Sequence, residues 1–306
     1  VIDSPSPQHI LVTGATGMVG SRLVTSLKNA GHRVTTVSRS ASSPDSVAWN
    51  LTTGEFDLSA TDPIDAVVHL AGAGVADSRW SEKRKQIIRK SRTESAALLA
   101  RELVERNAHP VTAFVSASGA SCYPADGEEK DESAPISRDT FLGDVVHDWE
   151  AAADPFRAAG IRTTHLRMGA ILSPDGGALA KLTPIIKTGL GGHVGNGRQH
   201  FPWISIEDVV RLFTESLDNP TYSGAINAVA PQLLTNAEFT QALAKQLHRP
   251  AFLPVPAFAM RLVFGQMADE VFLNDLVPVP GRLTKELGYQ FAHPTIDKAL
   301  KELMNQ

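Results

Sequence analysis

Three glycines, Gly14, Gly17 and Gly20, stand inside the segment Thr13-Gly14-Ala15-Thr16-Gly17-Met18-Val19-Gly20. The segment follows an apolar β-branched run and opens an amphipathic one, so strand, glycine turn and helix coincide. In that setting glycine has three uses: a tight turn, close backbone approach to a pyrophosphate, and close helix–strand packing. The helix start then offers unpaired N–H groups and partial positive charge to an anion. Thr16, Met18 and Val19 share the turn and are expected to touch the same ligand. A dinucleotide is the ligand this pattern predicts; a purely structural turn is the alternative. Ser38 and Arg39 close the second strand, where an acid would accept from a ribose hydroxyl and a cation would take a 2′-phosphate. The first acidic residue after them is Asp45. A guanidinium grips phosphate through two parallel hydrogen bonds, so NADP(H) is expected ahead of NAD(H). Arg22 is a candidate second cation.

The elements that must position these groups alternate in type. Strands are expected at His9–Val12, Arg33–Val37, Ala66–Leu70, Thr112–Ser116 and Arg162–Arg167. Val19, Leu23, Leu27 and Ala30 fall on one helical face that Gly31 terminates, and a longer helix is expected over Arg92–Arg106. The fold class is therefore α/β, a Rossmann-type doubly wound parallel sheet. Beyond Gly169 the chain turns Gly- and Pro-rich between helices at Asn236–Leu247 and Thr295–Met304, which reads as a smaller, partly interleaved C-terminal α/β lobe. The expected division is a linker at 1–8, a cofactor domain at 9–170 plus about 204–230, and a substrate-side lobe at 171–203 plus 231–306. Val1–Gln8 reads as a Pro/Ser linker, which leaves open whether the chain is a piece of a longer protein.

Bulk properties narrow the class. Charged residues make up 20% and hydrophobic residues 42%, as in a globular domain. A net charge of −4 argues against nucleic acid as partner. No apolar run is long enough to span a bilayer, and the start carries no secretory pattern. The single cysteine, Cys122, permits no internal disulfide or cysteine metal site, so a reducing cytoplasm and no metal are expected. A small-molecule substrate is the expected partner, with no membrane partner. A homodimer and an additional N-terminal domain are both compatible with the sequence.

These motifs resemble an extended short-chain dehydrogenase/reductase, with His69-Leu70-Ala71-Gly72 similar to the strand end that lines the cofactor. Trp80, Ser91-Arg92, Ser173-Pro174-Asp175-Gly176-Gly177, Gly189-Leu190-Gly191-Gly192, Gly197-Arg198-Gln199, Trp203-Ile204, Asn227–Pro231, Arg249-Pro250 and Leu253-Pro254-Val255-Pro256 narrow the likeness. Together they resemble the atypical, epimerase-like family often labelled nucleoside-diphosphate-sugar epimerase, which ends in a short domain of unknown function. The resemblance spans residues 9 to 304. It implies further cofactor contacts at Asn50, Leu51, Ser91, Arg167, Gly169 and Ile171, with core packing the plainer reading for Leu51 and Ile171.

Active relatives use a tyrosine as acid/base, a lysine four residues later that lowers its pKa, and a serine or threonine that polarises the substrate oxygen. Such a tuned proton donor contributes roughly 10²–10⁴-fold. By the resemblance Ser118 or Ser121 supplies the hydroxyl, with Tyr123 in the same loop; turn capping is the alternative for the serines. The tyrosine–lysine pair falls at Leu142 and Val146, or at Phe141 and Val145, and neither register supplies it. Tyr123, Lys181, Lys187, His147, Asp148, His193 and His200 remain as other groups that could move a proton. Sugar-nucleotide epimerases also place an arginine where this chain has Phe201, forgoing a charge-assisted contact worth about 1.5–3 kcal/mol. Arg198 is the nearby substitute. Phe201, Pro202, Trp203, Leu253, Pro254 and Phe258 imply a more apolar pocket. Three functions follow: an NADP-dependent oxidoreductase with a non-standard acid/base group acting on a small, fairly apolar carbonyl or alcohol; a cofactor-binding sensor or interaction module with little turnover; and a nucleoside-diphosphate-sugar epimerase.

Overall fold

β1 (His9–Thr13) is buried at every position, as befits a strand covered on both faces. The computed structural model describes residues 6–41, 43–106, 109–189 and 191–305. Most of the expected linker, residues 1–5, and Leu190 of the Gly189–Gly192 segment therefore lie outside the described residues. After β1 come α1 (Met18–Asn29), β2 (Arg33–Ser38), β3 (Ser46–Asn50), β4 (Glu55–Phe56), β5 (Ala66–His69) and α2 (Glu82–Ala100). β6 (Ala113–Gly119), β7 (Glu129–Lys130), α3 (Phe141–Ala151), α4 (Asp154–Ala158) and β8 (Arg162–Met168) follow. The remainder is β9 (Ala170–Ser173), α5 (Gly177–Lys187), β10 (Trp203–Ser205), α6 (Ile206–Asp218), β11 (Gly224–Ala228), α7 (Asn236–Gln246), α8 (Ala257–Phe264), β12 (Val277–Pro278), α9 (Gly281–Lys285) and α10 (Ile296–Leu303).

Eight strands form one sheet in the order β11-β8-β6-β5-β1-β2-β3-β4. All its pairings are parallel except β3 with the short edge strand β4. The order reverses between β1 and β5, so the chain leaves their carboxyl ends in opposite directions and opens a crevice there. The fold class is thus the expected doubly wound α/β sheet. Helices α1 and α6 cover one face through Leu23, Leu27, Val209, Leu212 and Phe213. α2 covers the other, with Leu98, Leu99 and Phe114 stacked on Phe156 at 4.1 Å. A separate core of Leu172, Trp203, Phe239, Leu243, Leu300 and Leu303 joins β9, β10, α7 and α10.

The differences from the sequence expectations have local causes. α2 starts ten residues before the expected Arg92, at the Ser81 cap, whose hydroxyl accepts from Arg84 N. Its first turns read EKRKQ and carry no apolar period, so pattern alone could not find them. Its expected end at Arg106 is a widened π-helical turn, Arg101–Glu105. No strand was expected at β3, β9 or β11, whereas β10 lies within the strand expected at Trp203–Asp208, which ends instead at Ser205, the cap of α6. Among the described residues no helix is long and apolar enough to cross a membrane.

One buried carboxylate gathers the last part of the C-terminal segment onto α6. Asp208, fully buried at the start of α6, accepts from Ser205 Oγ (2.8 Å), Tyr289 OH (2.9 Å), Ala292 N (2.7 Å) and His293 N (3.0 Å). Removing it takes the acceptor from Ser205 Oγ and the Ala292 and His293 amides and leaves Tyr289 OH only the longer contact to Asp208 O (3.3 Å). Each lost partner costs about 1–3 kcal/mol unless water enters. Asp208→Ala is therefore expected to lower the unfolding free energy by about 3 kcal/mol or more in urea titrations followed by tryptophan fluorescence. A loss below about 1 kcal/mol would mean that the donors find other partners.

Candidate functional site

The crevice between β1 and β5 is shaped by missing side chains. Gly14 has φ +67°, and a Cβ on it would lie 2.8 Å from the carbonyl of Leu70. A Cβ on Gly20 would fall inside the van der Waals shell of Gly14 O, so α1 could not approach β1. Gly17 N donates to Gly14 O at 3.0 Å and closes the turn. Gly17 is also the N-cap of α1, and no side chain caps it, so the first amides of the helix are open to an anion. Thr16 and Gly17 are exposed at the lip; Met18 and Val19 are half-buried, with Met18 Sδ against Gly176. The cradle fits a pyrophosphate.

The opposite lip is set by a buried relay. Thr13 Oγ1 accepts from Leu70 N and Ala71 N, both at 3.1 Å, so its own proton goes to His69 Nδ1 at 2.9 Å. His69 Nε2 then donates to Ser95 Oγ (3.1 Å), which donates to Ser91 O (2.7 Å). This order needs neutral imidazole, and burial pushes the His69 pKa down to about 4. Ser91 Oγ accepts from Ala73 N at 2.9 Å and so holds the loop that follows Gly72.

Arg92, beside Ser91, is 8% exposed. Its Nη1 donates to Ala73 O (3.0 Å) and Ile88 O (2.8 Å), and its guanidinium lies 4.8 Å from the Trp149 ring centroid. Among the described residues no carboxylate pairs with it. Burial, and then the charge of Arg84, push its pKa down to about 10. Gly72 faces it closely, for a Cβ there would be 3.1 Å from Arg92 Cζ. Sequence reasoning noted Arg92 only within a likeness and missed it as a site residue. Its helical face, Arg84, Ile88 and Arg92, alternates charge and apolar character and gives no clean period.

At the end of β2, Ser38 Oγ donates to Ser40 O (2.7 Å), and Arg39 is exposed with no carboxylate partner among the described residues. Arg22, expected as a second phosphate cation, is instead committed to Asp175 at 2.6 Å and ties α1 to the turn after β9. Asn50 Oδ1 accepts from Thr52 N (3.0 Å) and Thr53 N (3.2 Å), capping a turn. Leu51 packs against the core on the α2 face. Gly169 and Ile171 run beside β10, where a Cβ on Gly169 would meet Pro202 O at 2.7 Å.

The hydroxyls considered for catalysis are drawn into a buried charge network. Ser118 Oγ donates to Glu150 Oε1 (2.7 Å). Arg167 holds the same carboxylate through Nε (2.9 Å) and Nη2 (2.8 Å), and its Nη1 donates to Tyr123 OH (2.9 Å). Tyr123 in turn donates to Asn227 Oδ1 at 2.7 Å. Burial would raise the Glu150 pKa, but the Arg167 hydrogen bonds, His165 and Ser118 outweigh it and hold the carboxyl below its usual range. Burial pushes the Tyr123 pKa up, and that of Cys122 up to about 12. Arg167, expected at the nicotinamide end, is thus paired inside the protein. Ser121, half-buried, is the one of the three candidates whose hydroxyl has no partner among the described residues.

Leu142, Val145 and Val146 are buried on α3, and a Cβ on Gly119 would stand 3.4 Å from Val146 Cγ2. Cys122, Tyr123, Val146 and Leu276 share one apolar cluster. The place of a tyrosine–lysine pair is therefore occupied by packing. Glu270, which sequence reasoning missed, reaches from the C-terminal segment to cap α3, accepting from Phe141 N (3.3 Å) and Leu142 N (3.0 Å).

On the substrate side the expected residues scatter. Phe201 stacks on Phe239 at 4.2 Å, and Trp203 is 1% exposed with Nε1 donating to Gln232 O (3.2 Å). Trp203 belongs to the core, a correction to its reading as a pocket wall. Phe258 and Leu253 lie on the outer surface. Arg198 is exposed without a carboxylate partner among the described residues. His200 pairs with Asp275 (2.7 Å), His147 lies 3.2 Å from Asp148, and Lys181 Nζ donates to Ala76 O (3.2 Å). Among the described residues no group of three or more His, Cys, Asp or Glu is placed to hold a metal ion.

Known proteins share the family and the fold. Residues 10–228 match the model of the NAD dependent epimerase/dehydratase family, and residues 255–303 match a domain of unknown function, DUF1731. An epimerase family protein of Mycobacterium tuberculosis is 36% identical over 292 residues, covering 95% of this chain and 96% of its own. The crystal structure of human epimerase family protein SDR39U1 with NADPH superposes with a TM-score of 0.87 at 35% identity, covering 97% of this chain and 99% of that one. A nucleoside-diphosphate sugar epimerase structure from Corynebacterium glutamicum gives 0.69 at 28% identity, over 98% of this chain and 66% of that one. With a glycine cradle at the β1–β5 crevice and family matches on both sides of β11, the chain belongs to the NAD dependent epimerase/dehydratase family.

Proposed function

We infer that the chain binds NADP(H) in the β1–β5 crevice and is an oxidoreductase-like protein acting on a small, fairly apolar carbonyl or alcohol. The carrying observation is the cradle itself: two glycines that no side chain could replace, beside an uncapped helix start. Gly14, Gly17 and Gly20 with the first α1 amides would hold the pyrophosphate, and Arg39 the 2′-phosphate. Arg92, with no carboxylate of its own, would supply charge from the other lip. The NADPH in the human relative's crystal structure supports the choice of cofactor. When bound, the nicotinamide supplies hydride to a carbonyl carbon. The chain's own residues would exclude water around α3 through Leu142 and Val146 and would leave the unpaired Ser121 hydroxyl to orient an oxygen.

A second reading, a cofactor-binding sensor with little turnover, is favoured by one observation. Ser118 and Tyr123 spend their hydroxyls on Glu150 and Asn227, so neither is poised to exchange a proton as a tyrosine–lysine pair would. NADPH oxidation measured across a panel of small aldehydes and ketones separates the two readings. The epimerase reading asks for a diphosphate contact where Phe201 is stacked on Phe239, and it is weaker on that account.

In titration calorimetry NADPH is expected to bind more tightly than NADH by about 10- to 100-fold, the worth of a charge-assisted phosphate contact. Arg39→Ser should remove that preference and leave NADH unchanged, whereas Arg92→Met should weaken both cofactors alike. Equal affinities in the unaltered protein would refute the assignment of Arg39.

The Glu150–Arg167 pair has a pH signature. The folded-state pKa of Glu150 is depressed, so its stabilisation is fully present above the ordinary carboxylate pKa of about 4.3 and is lost as pH falls through the lower folded value. Glu150→Gln breaks a buried pair and should cost about 3–5 kcal/mol near neutral pH. The gap between the two proteins should narrow in acid in urea denaturation curves; a gap independent of pH would show that the carboxylate is not the charged partner.

A further inference from the structure

Most of the exposed large apolar side chains among the described residues lie on three adjoining elements. Phe258 (73% exposed), Leu262 (74%) and Val263 (58%) stand on α8; Phe252 (69%) and Leu253 (43%) precede it; Ile185 (51%) is on α5. Phe258 and Leu262 are four residues apart and share one helical face. The elements form a closed ring of contacts. Lys181, one turn before Ile185 on α5, donates to Ala76 O; Arg79 in the same loop donates from Nη1 to Leu262 O at 2.9 Å; Arg249 Nε donates to Lys187 O at 3.2 Å. The cations of this ring, Arg79, Lys181, Lys187 and Arg249, have no carboxylate partner among the described residues. The adjoining carboxylates are already taken, Asp77 by Arg84 and Asp269 by Arg261.

We propose that this face, α8 with its flanking loop and the end of α5, docks on an anionic lipid bilayer. Phe252, Phe258, Leu262 and Val263 are 58–74% exposed and reach into solvent rather than into the core. Protruding Phe and Leu ringed by unpaired cations match an interface in which rings and alkyl groups enter the acyl boundary while ammonium and guanidinium groups meet phosphate. A second copy of the chain fits less well. A twofold contact sets the patch against itself and brings Arg79, Lys181, Lys187 and Arg249 to a shared rim with no free carboxylate to oppose them. The loop carrying Ala76 and Arg79 continues from the Gly72–Gly74 lip of the crevice, so the docked face adjoins the opening of the proposed cofactor site.

Co-sedimentation tests this with vesicles of phosphatidylglycerol and phosphatidylcholine in equal parts, against vesicles of phosphatidylcholine alone. The protein is expected to sediment with the anionic vesicles, weakly or not at all with the neutral ones, and less as salt is raised. The double variant Phe258→Asp, Leu262→Asp should stay in the supernatant while its melting temperature and NADPH titration match the parent's. Lys187→Gln and Arg249→Gln should each lower partitioning about fivefold, which reads the same surface should the double variant fold poorly. Absence of sedimentation with anionic vesicles, or sedimentation unchanged by all of these substitutions, overturns the proposal. So does a dimer in sedimentation velocity that the double variant dissociates, which would assign the face to a second copy.

Discussion

The closeness of α1 to the carboxyl ends of β1 and β5 is the constraint on which the crevice depends. It is set by absent atoms: a methyl group on Gly20 would collide with Gly14 O, and one on Gly14 with the Leu70 carbonyl. Because the helix comes so near, its uncapped amides point into the reversal of strand order, where an anion gains from both the amides and the helix dipole. Thr13 extends the constraint to the other lip. Its single hydroxyl takes two amides and hands its proton to His69, so a neutral, buried imidazole fixes where Leu70 and Ala71 run.

The same sheet edge shows a different use of polar groups two strands away. On β6 and β8 the side chains that could have served catalysis are bound to one another. A buried Glu150–Arg167 pair survives the loss of hydration because each member is multiply hydrogen-bonded, and Ser118 and Tyr123 are what complete that set. A hydroxyl that satisfies a buried ion pair is held in one rotamer and one protonation state. Rigidity of that kind suits a wall of the site better than a proton shuttle. Apolar packing at Leu142 and Val146 against Gly119 is consistent with it, since neither the group that would donate nor the one that would tune it is present.

How much of this was legible in the sequence depended on whether the signal was local. Gly14, Gly17 and Gly20 lie within one turn between a strand and a helix, so their joint role could be read from spacing. Strands β1, β2, β5, β6 and β8 could be read from β-branched runs. Asp208 could not, because its partners Tyr289, Ala292 and His293 are some eighty residues away in sequence. Trp203 misled for a related reason: an indole suits both a pocket wall and a core, and only the position of Gln232 O decides. Arg22 shows the limit of charge reading, for its guanidinium faced two anions, a ligand phosphate and Asp175, and the sequence could not rank them. Glu270 carried no signal at all, since a carboxylate that caps a helix 128 residues earlier is invisible to any window.

The cations of the chain divide by whether the protein itself answers their charge. Arg167 is buried and donates to both oxygens of Glu150; Arg22 has Asp175; Arg84 has Asp77. Arg92 is as buried as Arg167 and has backbone carbonyls and an aromatic face but no carboxylate. A guanidinium desolvated without an anion is costly, and burial draws its pKa down for that reason. On the reading proposed above, that cost would fall when an anion arrives, so the feature that weakens the empty protein would strengthen its complex. Charge answered within the fold marks structure, and the unanswered charge of Arg92, against the Gly72–Ala73 lip, is where the proposed reading has a phosphorylated ligand complete the electrostatics.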